Sequence, residues 1–260
     1  MKRASITQDF WHERMQVNAE QAIFHQWEQL ETSGCIQNFR IAAGEIEGLR
    51  EGWFFADSDA YKWLDAAARI WASHPMLRLE KLMDDFIALL ERAQMPDGYL
   101  YTYNQLHFPE VRWQNLQIEH ELYCHGHLIE AAVSHFQATD ERHALDIAIS
   151  AADLLVRDFR GKGPKATPGH QEIEIALIRL YEVTGAQAYL ALAQQFLEQR
   201  GRLRFAFIEG IKQLRAVARR TARRDELRAA YAREHPGYAQ SRLCLLYTSP
   251  SPRDRTRSRM

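Results

Sequence analysis

The chain has 260 residues, of which 46% are hydrophobic and 26% charged, enough apolar material to bury one large core or two modest ones and too much for a disordered chain. A formal net charge of −1 supplies no field for phosphate backbones or anionic lipid, so nucleic-acid and membrane roles are set aside in favour of a neutral ligand. Three scattered cysteines, Cys35, Cys124 and Cys244, form no disulfide framework. With a polar start and no apolar run near the roughly 20 residues of a membrane span, they point to a cytoplasmic protein.

In chain order, an amphipathic pattern begins at Trp11. Leu64, Ala67, Ala68 and Trp71 then mark a helix that Asp57, Ser58 or Asp59 would cap and that Pro75 must end near His74. Leu79, Leu82, Met83, Phe86, Ile87 and Leu90 follow at i, i+3, i+4, i+7, i+8 and i+11, a single buried stripe. The two helices read as a hairpin. A second organisation repeats: residues 127–140 lie over residues 172–185 at an offset of 45, matching Leu128 with Ile173, Ala131 with Ala176, Val133 with Ile178, Phe136 with Tyr181 and Thr139 with Thr184. Another helix follows each copy, with Leu145 and Ala148 answering to Leu190 and Ala193. Stacked helical hairpins result, arranged as an open solenoid or a closed toroid, and the short turns do not decide between these.

From Gly201 the chain becomes arginine-rich, with Arg215, Arg219, Arg220, Arg223, Arg224 and Arg228 and few apolar positions, and no regular structure is expected there. Residues 244–260 are rich in Ser, Pro and Arg, lack periodicity and read as translated adaptor sequence, a non-native tail.

The connectors between hairpins carry the chemistry. Gly52-Trp53-Phe54-Phe55, residues 96–103 with Tyr99, Tyr101 and Tyr103, and Pro168-Gly169-His170 place aromatic rings and an imidazole at helix ends. Flat rings stack on the apolar faces of sugars while neighbouring polar groups bond the hydroxyls. His120, Cys124 and His127 fall at i, i+4 and i+7 on one face, a spacing that could hold a zinc ion, contact a ligand or simply line the inner wall of the array. His125 points elsewhere on the same helix and reads as structural. His170 precedes a helix beginning Gln171-Glu172, where the dipole favours a neutral imidazole suited to hydroxyl groups. Asp57, Asp59, Asp97 and Glu121 are the carboxylates nearest these loops; caps and turns account for the first three, and no acid/base pair is assigned.

The runs Asp57-Ser58-Asp59-Ala60-Tyr61-Lys62-Trp63-Leu64, Asp97-Gly98-Tyr99-Leu100, His120-Glu121-Leu122-Tyr123 with Gly126-His127-Leu128-Ile129-Glu130-Ala131-Ala132, and Gly169-His170-Gln171-Glu172-Ile173-Glu174 together resemble the bacterial β-L-arabinofuranosidases of glycoside hydrolase family 127. The resemblance covers roughly residues 10–201 and weakly 237–243. It implies an all-α fold, part of an (α/α)6 barrel interrupted before closure. Residues 1–201 would form the first part of that barrel, 202–243 a divergent or frameshifted continuation and 244–260 the adaptor-like tail. It implies a retaining hydrolase that releases β-L-arabinofuranose from oligosaccharides or glycans through a cysteine nucleophile on zinc. Those catalytic residues would lie beyond this chain, which by itself is expected to hold no zinc and to show no hydrolase activity. What carries over is substrate contact by His120 and His170, joined by the motif aromatics Tyr99 and Trp63. The expected partner is a carbohydrate. Two other readings compete with it: a helical-repeat scaffold for protein partners, and a helical-toroid sugar isomerase or lyase.

Overall fold

The computed structural model describes residue 6 and residues 8–200, 206–236 and 238, and among these every regular element is helical. α1 (Asp9–Val17) runs through one π-helical turn, Asn18–Ala22, into α2 (Ile23–Thr32), and α3 (Cys35–Ala42) folds back from it. Three hairpins follow: α4 (Asp57–Trp71) with α5 (Leu77–Ala93), α7 (Glu121–Thr139) with α8 (His143–Phe159), and α9 (Glu172–Thr184) with α10 (Gln187–Arg200). The short α6 (Thr102–His107) lies between the first two hairpins.

The apolar stripes do what their spacing dictates. Leu64, Ala67 and Ala68 of α4 and Leu79, Met83, Phe86, Ile87 and Leu90 of α5 are buried in one core shared by all three hairpins. α4 packs on α7 and α7 on α9 as an inner layer, while α5, α8 and α10 form the outer one. This is an arc of an (α/α) barrel, three hairpins of the six that close such a ring.

The 45-residue repeat is visible atom for atom in the hairpin turns. Thr139 Oγ1 donates to the His135 carbonyl (2.8 Å) and accepts from the Glu141 amide (3.1 Å); Thr184 Oγ1 does the same with Leu180 (2.7 Å) and Ala186 (3.3 Å). The next residue, Asp140 or Gly185, takes a left-handed conformation that stops the helix. One threonine hydroxyl thus ends each inner helix in the same way.

Register pairs show that the inner helices run parallel. Lys62 lies over the Tyr123 ring and Asp65 accepts from Ser134 between α4 and α7, while His127 meets Glu172 and Ser134 meets Arg179 between α7 and α9. Their N-termini therefore open on one face, where the aromatic connectors also lie.

Two expectations are corrected. No side-chain hydrogen bond caps α4; its Asp57 instead accepts from the Thr102 amide (2.6 Å) and hydroxyl (2.6 Å), holding the first turn of α6. The arginine-rich stretch contains a helix, α11 (Ala206–Glu234), because Arg, Ala, Leu and Glu are strong helix formers even without an apolar stripe. α11 reaches the loop-bearing face through Gln213, which accepts from the Gln117 amide (2.9 Å), and through ion pairs of Arg220 with Glu119 and Arg228 with Glu51. Residues 239–260, including the adaptor-like tail and Cys244, lie outside the described residues. No helix among the described residues is long and apolar enough to cross a membrane.

Candidate functional site

At the open face the loops before α7 and α9 are tied together. The Gly169 amide donates to the Leu116 carbonyl (2.9 Å), and the Gln117 side-chain amide donates to the Thr167 carbonyl. A Cβ at Gly169 would stand 2.2 Å from the Gln117 carbonyl oxygen, so only glycine permits this approach. Arg200, the last residue of α10, donates to the carbonyls of Pro168 (2.7 Å) and His170 (2.7 Å) and pairs with buried Glu174 (2.5 Å). His170 is set against His120 as a result, with ring centroids 4.4 Å apart.

Around this pair the structure assembles a polar, aromatic cluster. Tyr123 lies 5.1 Å from His120, 5.0 Å from His170 and 4.4 Å from His127 between ring centroids. Phe54 (5.1 Å) and Phe55 (5.4 Å) flank His120 from the connector before α4. The Lys62 ammonium sits 4.9 Å over the Tyr123 ring. His127 Nδ1 meets Glu172 Oε1 at 3.1 Å, a contact that needs Gly126, since a Cβ there would come within 2.8 Å of the Glu172 side chain.

Protonation follows from geometry. His120 Nδ1 lies 2.9 Å from the Ile118 carbonyl, which can only accept, so Nδ1 carries the proton and Nε2 keeps a lone pair. Burial, with His170 and Lys62 adding positive charge, lowers the His120 pKa to about 4. Burial and then Lys62 bring His127 to about 3, and burial, Arg200 and Lys62 lower His170. Burial followed by the charge of Glu130 raises Glu172 to about 7. Near neutral pH the cluster is a set of uncharged imidazoles beside a carboxyl close to half-protonated. His127 Nε2 is buried without a hydrogen-bond partner. Such groups match hydroxyls, which both donate and accept.

A second polar layer is buried close by. Arg50, Asp57 and Thr102 form a closed set, with Arg50 also donating to the Gly52 carbonyl (3.0 Å). Glu121 accepts from the Tyr99 hydroxyl, from Asn104 (3.0 Å) and from the Trp113 amide (2.9 Å). Burial nevertheless raises its pKa to about 7. His125 bridges the Glu121 carbonyl (2.9 Å) and the Leu100 amide (3.5 Å), a structural post.

Of the four residues expected at the substrate, the structure therefore brings together His120 and His170. Tyr99 is placed in the buried layer on Glu121, and Trp63 in the core, where Nε1 donates to the Ile23 carbonyl (2.9 Å) and the ring packs on Trp27 and Phe86. Motif membership alone did not separate a ring facing the core from one facing the opening. Asp97 caps its own turn at the Tyr99 amide (3.2 Å) and pairs with Arg112 (2.5 Å). The carboxylate that reaches an imidazole is Glu172, against His127, which the sequence announces only as a helix-start residue; its offset of two from His170 is the available signal.

His120, Cys124 and His127 do not form a ligand set. Cys124 is fully buried with Sγ 3.9 Å from the Phe55 carbonyl, and burial and Asp57 push its thiol up; Cys35 donates to the Ala56 carbonyl (3.2 Å). Neither has the character of a metal-bound thiolate.

Fold and site define a helical-hairpin barrel segment with an imidazole-lined opening at the N-termini of its inner helices. The chain belongs to the β-L-arabinofuranosidase family, whose GH127 catalytic-domain model matches residues 4–239. A non-reducing end β-L-arabinofuranosidase of Bifidobacterium longum subsp. longum is 37% identical, over 76% of this chain and 34% of its own. Among solved structures, a GH127 β-L-arabinofuranosidase from Geobacillus stearothermophilus T6 superposes with a TM-score of 0.77 at 45% identity, covering 84% of this chain and 35% of that one. A further GH127 β-arabinofuranosidase does so with a TM-score of 0.70 at 37% identity, covering 77% and 33%. The chain spans about a third of the length of these relatives.

Proposed function

We propose that this segment supplies one wall of a furanose-binding pocket in a β-L-arabinofuranosidase and carries recognition of the sugar rather than cleavage of its bond. The observation that carries this reading is the juxtaposition of His120 and His170 at 4.4 Å, both held neutral, at an opening edged by Phe54, Phe55 and Tyr123. His120 Nε2 accepts from a sugar hydroxyl; His170, anchored through its carbonyl by Arg200, bonds a neighbouring one. His127 Nε2 offers a third polar position, tuned by Glu172. The phenyl rings cover the apolar edge of the furanose and exclude water.

The zinc-thiolate chemistry implied by the family does not fit the described cysteines, so no step is routed through it. The purified chain is accordingly expected to turn over no aryl β-L-arabinofuranoside. The pH profile and the carbohydrate specificity of a longer protein would inherit the neutral imidazoles described above. L-arabinose added to the chain should shift the imidazole resonances of His120 and His170 in an NMR titration, with D-glucose leaving them in place. Equal shifts with both sugars, or none with either, would refute the reading.

A further inference from the structure

At the opposite end of α7 lies a group that sugar recognition does not use. His135 is fifteen positions beyond His120 on the same helix, about 22 Å along its axis. Its side chain is buried, 1% exposed, yet neither Nδ1 nor Nε2 has a hydrogen-bond partner. Buried imidazoles almost always satisfy at least one nitrogen, because a polar atom left dry in the interior loses the bonds water gave it. Asp84 of α5 and Glu141 of the α7–α8 turn close on this ring: one ligating atom from each of the three residues lies within 4.8 Å of the other two. Among the described residues it is the one such set found.

We infer that Asp84, His135 and Glu141 form a binding site for a divalent transition cation of the zinc type, a structural clamp joining an outer helix, an inner helix and the turn between hairpins. One nitrogen and two carboxylates suit zinc or manganese better than magnesium or calcium, which take oxygen-only sets. Tetrahedral zinc with bonds of about 2.0–2.2 Å places its ligand atoms about 3.4 Å apart, so the three side chains need only small rotations to close on it. Water completes the coordination on the exposed carboxylate side. The convergence of the Asp84 and Glu141 carboxylates on a buried imidazole whose two nitrogens have no hydrogen-bond partner favours a cation. Thr139 strengthens the placement, because its hydroxyl bonds the His135 carbonyl and fixes the turn that delivers Glu141.

The test is titration of the metal-stripped full chain with Zn²⁺ by calorimetry, beside the Asp84→Asn/Glu141→Gln double variant. Both substitutions lie at exposed positions and leave the core packing untouched. One zinc per chain, a raised melting temperature, and an affinity loss in the double variant beyond the about 10–100-fold of an outer-shell change would support the site. The variant His135→Gln, read by the same titration, must lose affinity as well. Co²⁺ absorption should lack the thiolate charge-transfer band. Absence of binding, equal binding by the variants, a thiolate band, or a preference for Mg²⁺ over Zn²⁺ would each overturn the assignment.

Discussion

Two polar layers meet near the N-termini of the inner helices, and they differ in how their hydrogen bonds are spent. In the layer of Arg50, Asp57, Thr102, Tyr99, Asn104 and Glu121, carboxylates and donors bond one another across α4, α6 and α7. In the layer of His120, Tyr123, His127, His170 and Glu172, His127 Nε2 has no partner, His120 is held through Nδ1, and burial lowers the pKa of both. The first layer is largely closed because its members bond one another, Asn104 Oδ1 being its one buried atom without a partner. The second is anchored largely through backbone carbonyls, Ile118 holding His120 Nδ1 and Arg200 the His170 carbonyl, which leaves His120 Nε2 and His127 Nε2 for something else. A sequence motif that contains both kinds of residue, such as His120-Glu121, contributes one member to each layer.

The largest expected effect is in the closed layer. Asp57→Ala strands the fully buried guanidinium of Arg50 and removes both bonds to Thr102, a change that costs about 3–5 kcal/mol. Urea denaturation of the two chains measures it directly. A loss below about 1 kcal/mol would mean that water already reaches Arg50, and the contrast between the layers would fail.

Next comes the junction between the layers' loops. Gly169→Ala drives a Cβ into the Gln117 carbonyl, so the loops must part, at a cost of about 1–3 kcal/mol. His170 then leaves His120, and L-arabinose binding should fall with stability. Binding retained at full strength would show that the two imidazoles act separately.

Acidity separates the layers more gently. His120 and His125 titrate at about 4, and His107 and His127 at about 3, against an ordinary 6.5. The unfolded chain therefore binds protons that the folded chain refuses, and stability contributed by these groups is present above 6.5 and is lost as pH falls toward 4. Glu121 and Glu172, raised to about 7 from 4.5, act in the other sense: their stabilising protonation is present below 4.5 and lost as pH rises through 7. Four imidazoles outweigh two carboxyls, so the melting temperature should drop between pH 6.5 and 4. In a Glu121→Gln/Glu172→Gln variant the drop should steepen, since the opposing contribution is gone. A melting temperature that rises on acidification would invert the assignment.

Much of this was legible in the sequence, and what was not has a physical cause. The stripe from Leu79 to Leu90 and the repeat that matches Thr139 with Thr184 follow from period and turn chemistry, which are local. His120 and His170 were legible as motif residues beside helix starts. Trp63 and Tyr99 were not separable from them, because which side of α4 faces Trp27 and which end of a turn faces Glu121 depends on contacts 22 to 36 positions away in the chain. Helix α11 was missed for another reason: its helicity comes from propensity and from ion pairs to Glu119 and Glu51, with little apolar periodicity to announce it.

The smallest change in stability should come from the residue with the largest expected role in binding. His170 is exposed, its position is fixed by Arg200 through the main chain, and its ring bonds no other side chain among the contacts that order the loop. His170→Ala should therefore move stability by no more than about 0.5 kcal/mol, the range of surface substitutions. The same change removes a hydrogen bond to the sugar worth about 0.5–1.5 kcal/mol and so weakens L-arabinose binding by roughly 2–12-fold. Denaturation and the NMR titration run side by side on one variant decide the matter. Lost stability with unchanged affinity would assign His170 to the scaffold, and the division between a closed and an open layer would then run through the imidazoles rather than beneath them.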